Sequence, residues 1–261
     1  MKKITLKVFA FIIVVAINFV FLTACNKDTN LPEGVTVGTG DNIFTSGATL
    51  EQLSYALENA DSFVIRRGYN RIGTDNVIND TVWFVDRANN TMATRTIDFD
   101  MCTMKVTFGE EVYLFTDSDK FYYIGFSNYH RVPQEDGSCK IELNHKGKFM
   151  FHFAQKSDTP FYEYDAINSL YEGLLSNTLT MKDGNIVYNE EAFIPDRWGD
   201  NVTFANFKLD LKGSEIVTSF TVNYGVNLVV KHSFIITGVN ATRVEIPDKV
   251  SSYKDQAVQI S

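Results

Sequence analysis

The sequence predicts an α+β fold: a curled antiparallel β-sheet, an unclosed half-barrel of about ten strands, with helices packed in its concave face. Most segments alternate apolar and polar residues with a period of two and are separated by turn-forming clusters, which is typical of strands in an antiparallel sheet. Two other segments carry apolar residues at helical spacing. Strand twist accumulates across a wide sheet, so we expect the sheet to curl and the helices to lie inside the curl.

The first segment of the chain is typical of a targeting signal. Residues 1–7 are basic, and residues 8–21 are apolar apart from Asn18. This apolar run has the length of a signal-peptide core and falls short of the roughly 20 residues that a transmembrane helix needs. We therefore predict a signal peptide over residues 1–24.

The signal ends in Leu22-Thr23-Ala24-Cys25, which resembles the lipobox of bacterial lipoproteins. In that family the cysteine thiol is joined to diacylglycerol, and cleavage makes the cysteine the mature N-terminus. The resemblance implies lipidation of Cys25, with acyl chains such as palmitate, and a place on the extracytoplasmic face of the cell membrane. Two acyl chains suit this role, because a single chain binds a membrane only marginally. The alternative is an ordinary buried cysteine at the end of an uncleaved anchor helix.

The mature chain is strongly acidic. Residues 1–24 hold three of the 24 basic residues and none of the acidic ones, so 21 basic residues remain against 32 acidic ones, a net charge of −11. Such a charge argues against binding nucleic acid and against electrostatic adhesion to an anionic bilayer. Contact with the membrane would therefore depend on the lipid at Cys25. By family analogy, Asn26 in place of aspartate does not signal retention in an inner membrane, which leaves an outer-membrane location open.

We expect residues 25–47 to form a flexible tether, because they contain four glycines and little periodic apolar pattern. A flexible segment of this length averages about 26 Å end to end, enough to hold a domain just off the bilayer. The folded domain would then span residues 48–261.

Two further cysteines, Cys102 and Cys139, lie far apart in the sequence. Outside the membrane they can form a disulfide, which would close a loop of about 37 residues and stabilise the fold by ~3–4 kcal/mol. Two unpaired thiols are the alternative. A pair so widely spaced, without a CxxC motif, does not indicate a zinc site.

Two helices are predicted. Residues 49–60 begin with a capping box of Thr49 and Gln52 and carry leucines on one face, at positions 50, 53 and 57. Residues 164–177 carry a similar apolar stripe of Ile167, Leu170, Leu174 and Leu175. Stripes of this kind normally pack into a core.

Strands are predicted wherever the period is two. In residues 148–154 the pattern places Phe149, Phe151 and Phe153 on one face and His152 on the other. The predicted strands cover residues 62–72, 77–87, 91–99, 102–108, 111–116, 121–126, 138–143, 148–154, 178–188, 206–212, 215–225 and 227–237.

This order of elements resembles the LolA/LolB-like group of extracytoplasmic lipoproteins and carriers, which includes LppX-type lipoproteins. The matching parts are residues 48–68, the long series of strands, the inserted helix, and the ending TGVNATRVEIPDKVSSY with its Ile246-Pro247 pair. The resemblance covers residues 48–250. It implies a hydrophobic cavity between sheet and helices, and a non-enzymatic function in binding or carrying a lipid or another apolar molecule.

The aromatic residues, 13% of the chain, suit either such a cavity or a fully packed β-core. In the second case the protein would be an accessory envelope lipoprotein that acts as a protein–protein interaction module. The size of the cavity distinguishes the two hypotheses.

No motif predicts a catalytic, cofactor or metal site. The S-x-x-K motif at 251–254 lacks the partner motifs of penicillin-recognising enzymes. We expect Asp117-x-Asp119 to be a hairpin turn, since later positions of a calcium loop are missing. Glu110 and Glu111, as neighbours in a strand, are expected to point to opposite faces and not to form an acid/base pair. The four histidines, His130, His145, His152 and His232, are too dispersed in the sequence to suggest a metal site.

Overall fold

A computed structural model describes residues 31–42, 50–71, 77–100, 105–134, 139–161, 179–183, 185–188, 203–212, 215–223 and 229–260. Residues Pro32–Ser261 form one compact unit. Within the described ranges the chain is mostly β-strand, with two short α-helices, α1 (Leu50–Glu58) and α2 (Asp248–Ser251), and two single turns of 3-10 helix at His145–Gly147 and Lys254–Gln256.

The strands run in chain order as follows: β1 (Val35–Val37), β2 (Ser62–Arg71), β3 (Val77–Asp86), β4 (Thr91–Asp100), β5 (Lys105–Asp117), β6 (Lys120–Ser127), β7 (Tyr129–Pro133), β8 (Cys139–Leu143), β9 (Met150–Ser157), β10 (Leu179–Lys182), β11 (Asn185–Tyr188), β12 (Thr203–Lys212), β13 (Glu215–Asn223), β14 (Val229–Thr237), β15 (Thr242–Val244) and β16 (Val258–Gln259).

Ten of these strands form one sheet in the order β12-β13-β14-β2-β3-β4-β5-β6-β9-β16. Neighbouring strands are antiparallel except β16, which pairs with β9 in parallel. The order begins at β12 and ends at β16, so the sheet is not closed on itself. The prediction of a β-rich fold with an unclosed sheet is confirmed.

The sheet is joined in its middle by a long-range pairing. Strand β2 pairs with β3, the next strand in sequence, and on its other side with β14, from Val64↔Thr237 to Arg71↔Val230. Strands β12–β14 therefore continue the sheet that β2–β6 begin. The β7–β8 hairpin is inserted between β6 and β9, and β10 and β11 pair only with each other among the described strands.

The predicted boundaries hold for several elements and fail for others. The first predicted helix is confirmed as α1, whose end is capped by the Asn59 side chain donating to the Tyr55 carbonyl at 2.8 Å. Strand β5 is continuous through Gly109, where the sequence pattern predicts two strands, because β4 pairs with it on both sides of that glycine. The strand predicted over 178–188 is the hairpin β10–β11. The second predicted helix, 164–177, lies outside the described residues.

The structure differs from the expected tether in residues 32–41. Here β1 pairs with β15 in the register Val35↔Val244 to Val37↔Thr242, and the pairing extends on both sides. The Glu245 amide donates to the Gly34 carbonyl at 2.9 Å, and the Asp41 amide donates to the Val239 carbonyl at 2.9 Å. Most residues of the segment are polar or glycine, and backbone hydrogen bonds to β15 and its neighbours hold it in place. Apolar periodicity in the sequence does not indicate a strand that is held in this way.

A glycine is required where this segment begins. Gly34 has φ +80°, and a Cβ built there would meet the Glu245 carbonyl oxygen at 2.0 Å. Gly147 also has a positive φ, +63°, but nothing lies within 4 Å of its built Cβ. A substitution at Gly147 would therefore measure the cost of left-handed backbone alone, whereas the same substitution at Gly34 would add the cost of the steric clash.

We predict that Gly34→Ala lowers the free energy of unfolding by at least ~2 kcal/mol, because left-handed backbone costs alanine about 1–2 kcal/mol and the clash adds to it. Gly147→Ala should cost only about 1 kcal/mol. Urea unfolding of both variants measures the difference. Equal losses would show that the β1–β15 contact does not contribute to stability.

Candidate functional site

The register of the sheet defines two faces. Residues directly opposite each other on antiparallel strands share a face, so Trp83, its partner Thr94 and the next partner Val112 lie together. We call this the front face. Ala93 and its partner Tyr113 lie on the other side, which we call the back face.

Segments near the two ends of the compact unit contact the back face. The Tyr113 hydroxyl donates to the Glu33 carbonyl at 3.1 Å, and the Val244 amide donates to the buried Asp86 carboxylate at 3.2 Å. Burial raises the pKa of Tyr113, and the nearby Glu111 raises it further.

The C-terminal segment adds an aromatic cluster on this side. Tyr253 stacks on Phe151 with ring centroids 4.1 Å apart and meets the Phe126 ring edge-on at 5.7 Å. The Lys249 ammonium lies 5.1 Å from the centre of the same Phe126 ring. The back face is thus occupied by the protein's own side chains.

The front face carries a cavity of about 270 Å³, which we call the front cavity. All of its lining residues lie on strands β3–β6 and alternate with residues of the back face. Four of its lining residues form an apolar and aromatic wall: Trp83, Val112, Leu114 and Tyr123. The other four are polar, three threonines and one carboxylate: Thr81, Thr94, Thr96 and Glu110.

The adjacent glutamates lie on opposite faces, as predicted. Glu110 lines the front cavity, where its carboxylate accepts a hydrogen bond from the Tyr129 hydroxyl. Glu111 lies on the back face, 3.2 Å from the Arg95 guanidinium. Burial raises the pKa of the Glu111 carboxyl, and Arg95 opposes this shift.

Basic groups lie beside the front cavity. The Arg67 guanidinium is 5.7 Å from the centre of the Trp83 ring, close enough for a cation–π interaction. His232 lies on the same face of β14 and is buried. Burial, with a further contribution from Arg67, lowers the pKa of His232 from 6.5 to about 4.

A second cavity of about 400 Å³ lies where the β7–β8 hairpin joins the sheet, and we call it the histidine cavity. It is lined by three exposed histidines, His130, His145 and His152, together with Ser127, Tyr129, Asn144, Met150 and Phe151. Nδ1 of His130 lies 3.0 Å from the Asn144 side-chain oxygen. The sequence separates these histidines by up to 22 positions, so sequence spacing alone did not reveal their grouping.

A β-bulge shapes the wall of this cavity. Gly125 pairs with Phe153 and Phe126 pairs with Phe151, so His152 is the extra residue between them. Phe153 consequently lies on the front face, with its ring 5.0 Å from Tyr123, and Phe151 lies on the back face. The prediction that Phe151 and Phe153 share a face is wrong for this reason. Gly125 makes room for the Phe153 ring, which a Cβ would meet at 2.3 Å.

The other predicted positions have separate outcomes. The turn after Asp117 is confirmed: Ser118 and Asp119 have φ of 50° and 64° between β5 and β6. The Lys254 ammonium of the S-x-x-K motif donates a hydrogen bond to the Asp117 carboxylate, and this hydrogen bond raises the pKa of Lys254. Cys25, Cys102 and the Cys139 side chain lie outside the described residues. In the described ranges, no three His, Cys, Asp or Glu side chains are arranged to hold a metal ion.

The comparisons with known proteins show no family. No protein-family model and no curated protein matches the chain. Among solved structures, the crystal structure of the YwiB protein from Bacillus subtilis matches 68% of this chain and 89% of its own, at 6% identity and a TM-score of 0.18. A likeness this distant carries no argument about fold or function.

None of the helices in the described ranges is both long enough and apolar enough to cross a membrane.

We predict that mild acid weakens the wild-type fold through His232. The pKa of His232 is about 4 in the folded protein, whereas its ordinary value, 6.5, applies in the unfolded chain. As the pH falls below 6.5, the unfolded chain therefore takes up a proton that the folded protein takes up only near pH 4. Between pH 7.5 and 5, wild type should lose about 2 kcal/mol more unfolding free energy than His232→Gln.

Urea unfolding at the two pH values measures this difference, with His145→Gln, an exposed histidine, as the control. Equal losses in wild type and His232→Gln would contradict a buried, neutral His232.

Proposed function

We propose that this protein is a bacterial lipoprotein, anchored through Cys25 to the extracytoplasmic face of the cell membrane, that binds or carries a lipid or another hydrophobic ligand without catalysing a reaction. The front cavity is the observation that supports this proposal. It lies on a sheet face whose wall is Trp83, Val112, Leu114 and Tyr123, and its 270 Å³ approaches the usual size of small-molecule sites.

We further propose the LolA-like form of the fold, a half-barrel with helices in its concave front face. Phe63, Val85 and Met92 lie on the front face and have no exposed surface, so atoms must cover them. The amphipathic segment 164–177, outside the described residues, is our candidate for part of this cover. The front cavity would then lie between sheet and helices.

The proposed anchor places the domain close to the membrane. The compact unit begins at Pro32, seven residues after Cys25. At no more than about 3.6 Å per residue, these residues reach roughly 25 Å. A ligand would therefore pass between bilayer and protein over a distance similar to the thickness of the bilayer's hydrocarbon core.

Lipidation is tested by metabolic labelling. Expressed at full length in a bacterium, the protein should incorporate labelled palmitate and fractionate with membranes, because the thioether-linked lipid is its proposed attachment. Cys25→Ser should abolish the label completely, whereas Cys102→Ser should retain it. Labelling that persists in Cys25→Ser would contradict the proposed anchor.

Ligand binding is tested on residues 25–261 carrying Cys25→Ser and purified without detergent, since they contain the whole compact unit. Native mass spectrometry should show a lipid-sized adduct, and N-phenyl-1-naphthylamine should bind. Thr94→Phe fills the front cavity and should weaken binding of this probe at least about tenfold. Thr36→Phe, the same change at an exposed threonine of β1, should not.

One observation favours the interaction module as the second candidate. The β7–β8 hairpin and the start of β9 expose three large apolar side chains, Ile141, Leu143 and Met150, at 42%, 49% and 55%. Exposed apolar groups close together are common in protein interfaces. A clean mass without adduct, and no uptake of probe or offered phospholipid, would exclude the carrier function and favour this one.

A further inference from the structure

One line of side chains crosses the sheet beneath both cavities. Successive cross-strand partners on the front face are Thr81, Thr96, Glu110, Ser127 and Met150. The first three line the front cavity, and the last two line the histidine cavity. The two cavities are therefore consecutive along one face, perpendicular to the strands.

A hydrogen bond between two side chains lies where the cavities meet. The Tyr129 hydroxyl, from the histidine cavity, donates to the Glu110 carboxylate, from the front cavity. The backbone of Tyr129 is held separately, since the Ser127 hydroxyl donates to its carbonyl at 2.7 Å. Strand β7 is therefore held at Tyr129 by a backbone contact that does not depend on the bond between the Tyr129 side chain and Glu110.

The line has the length of a lipid acyl chain. It crosses five strands, β3 to β6 and β9. Four spacings of about 4.8 Å give about 19 Å. One leaflet of a bilayer's hydrocarbon core, which one acyl chain spans, is about 15 Å thick. One extended chain with a small headgroup fits this distance.

We infer that the two cavities form one groove, and that its ligand is a single-chain amphiphile with an anionic headgroup. The alkyl chain lies in the front cavity against Trp83 and Leu114, and the headgroup lies among the histidines. Binding breaks the Tyr129–Glu110 hydrogen bond. This inference rests on the proposed function and specifies the class of ligand and its orientation.

The orientation follows from exposure and chemistry. Val112 and Leu114 in the front cavity are buried, whereas His130, His145 and His152 are exposed and keep a headgroup in contact with water. Imidazole N–H groups donate hydrogen bonds to carboxylate or phosphate oxygens.

The charges nearby agree with an anionic headgroup. Lys146 follows His145 on the 3-10 turn, and Lys148 comes directly after the turn. Glu142 is neutralised by the Lys140 ammonium at 2.9 Å. The acidic Glu110 lines the front cavity and is not among the residues that line the histidine cavity, where the headgroup lies.

The test uses Trp83 as a local reporter. The chain has two tryptophans, so Trp198→Phe leaves Trp83, which lines the front cavity, as the sole tryptophan. Residues 25–261 with Cys25→Ser and Trp198→Phe are titrated with hexadecanoate and with hexadecan-1-ol. Hexadecanoate should bind at least about tenfold more tightly, the worth of a charge-assisted hydrogen bond. Replacing His130, His145 and His152 together by Ala, which has no side-chain hydrogen-bond donor, should remove this preference.

The Tyr129–Glu110 hydrogen bond is tested with Tyr129→Phe. This variant should bind hexadecanoate about two- to tenfold more tightly, because the ligand no longer has to break the bond. Tyr55→Phe, at an exposed tyrosine of α1, is the matched control and should leave the binding of hexadecanoate unchanged.

The outcomes separate the inference from the proposed function. Equal binding of acid and alcohol, or an unchanged hexadecanoate affinity in Tyr129→Phe, would overturn the inference while the carrier function stands. Absence of any Trp83 response and of any adduct in native mass spectrometry would overturn both. A Trp83 response with the expected preferences would support both.

Discussion

The pairing of β2 with β14 is the constraint on which the rest of the structure depends. It joins residues about 165 positions apart and turns two runs of strands into one sheet. Without it, β12–β14 would be a separate three-stranded unit, at the lower limit for a sheet that is stable by itself. Such a long-range pairing pays its loop-closure entropy before its contacts form. We therefore expect β2–β6, which pair in sequence order, to fold before the C-terminal strands join them.

The register that follows from this pairing also gives the two faces their different roles. At the end of the sheet near Phe63, Val64 and Ile65, residues on both faces are buried, so this end is the core. Further along the strands the back face stays covered by the chain ends, and the front face opens into the cavities. The cavities thus lie beside a rigid core, which holds their walls in place and makes a preformed binding surface physically reasonable.

Period-two alternation predicted most strands, and leucines at helical spacing predicted α1, because an element with one apolar and one polar face repeats its residue types with the period of that element. It failed where backbone hydrogen bonds determine the structure. The ladder of β1 and β15 involves few apolar residues, and the bulge at His152 reverses the alternation beyond it. The placement of Glu110 and Glu111 on opposite faces was predictable from neighbouring positions. The grouping of His130, His145 and His152 was not, because it depends on a hairpin inserted between two strands of the sheet.

The pairing of β1 with β15 has a mechanical consequence. A force applied at the N-terminal end of the unit acts first on the three-residue ladder from Val35 to Val37. From β15 the load passes to the back of the sheet, where the Thr242 amide donates to Ser62 and the Thr91 hydroxyl donates to the Val244 carbonyl. These two hydrogen bonds load the sheet from its back face. Tension on the chain end can therefore be borne without pulling directly on the side chains that form the groove.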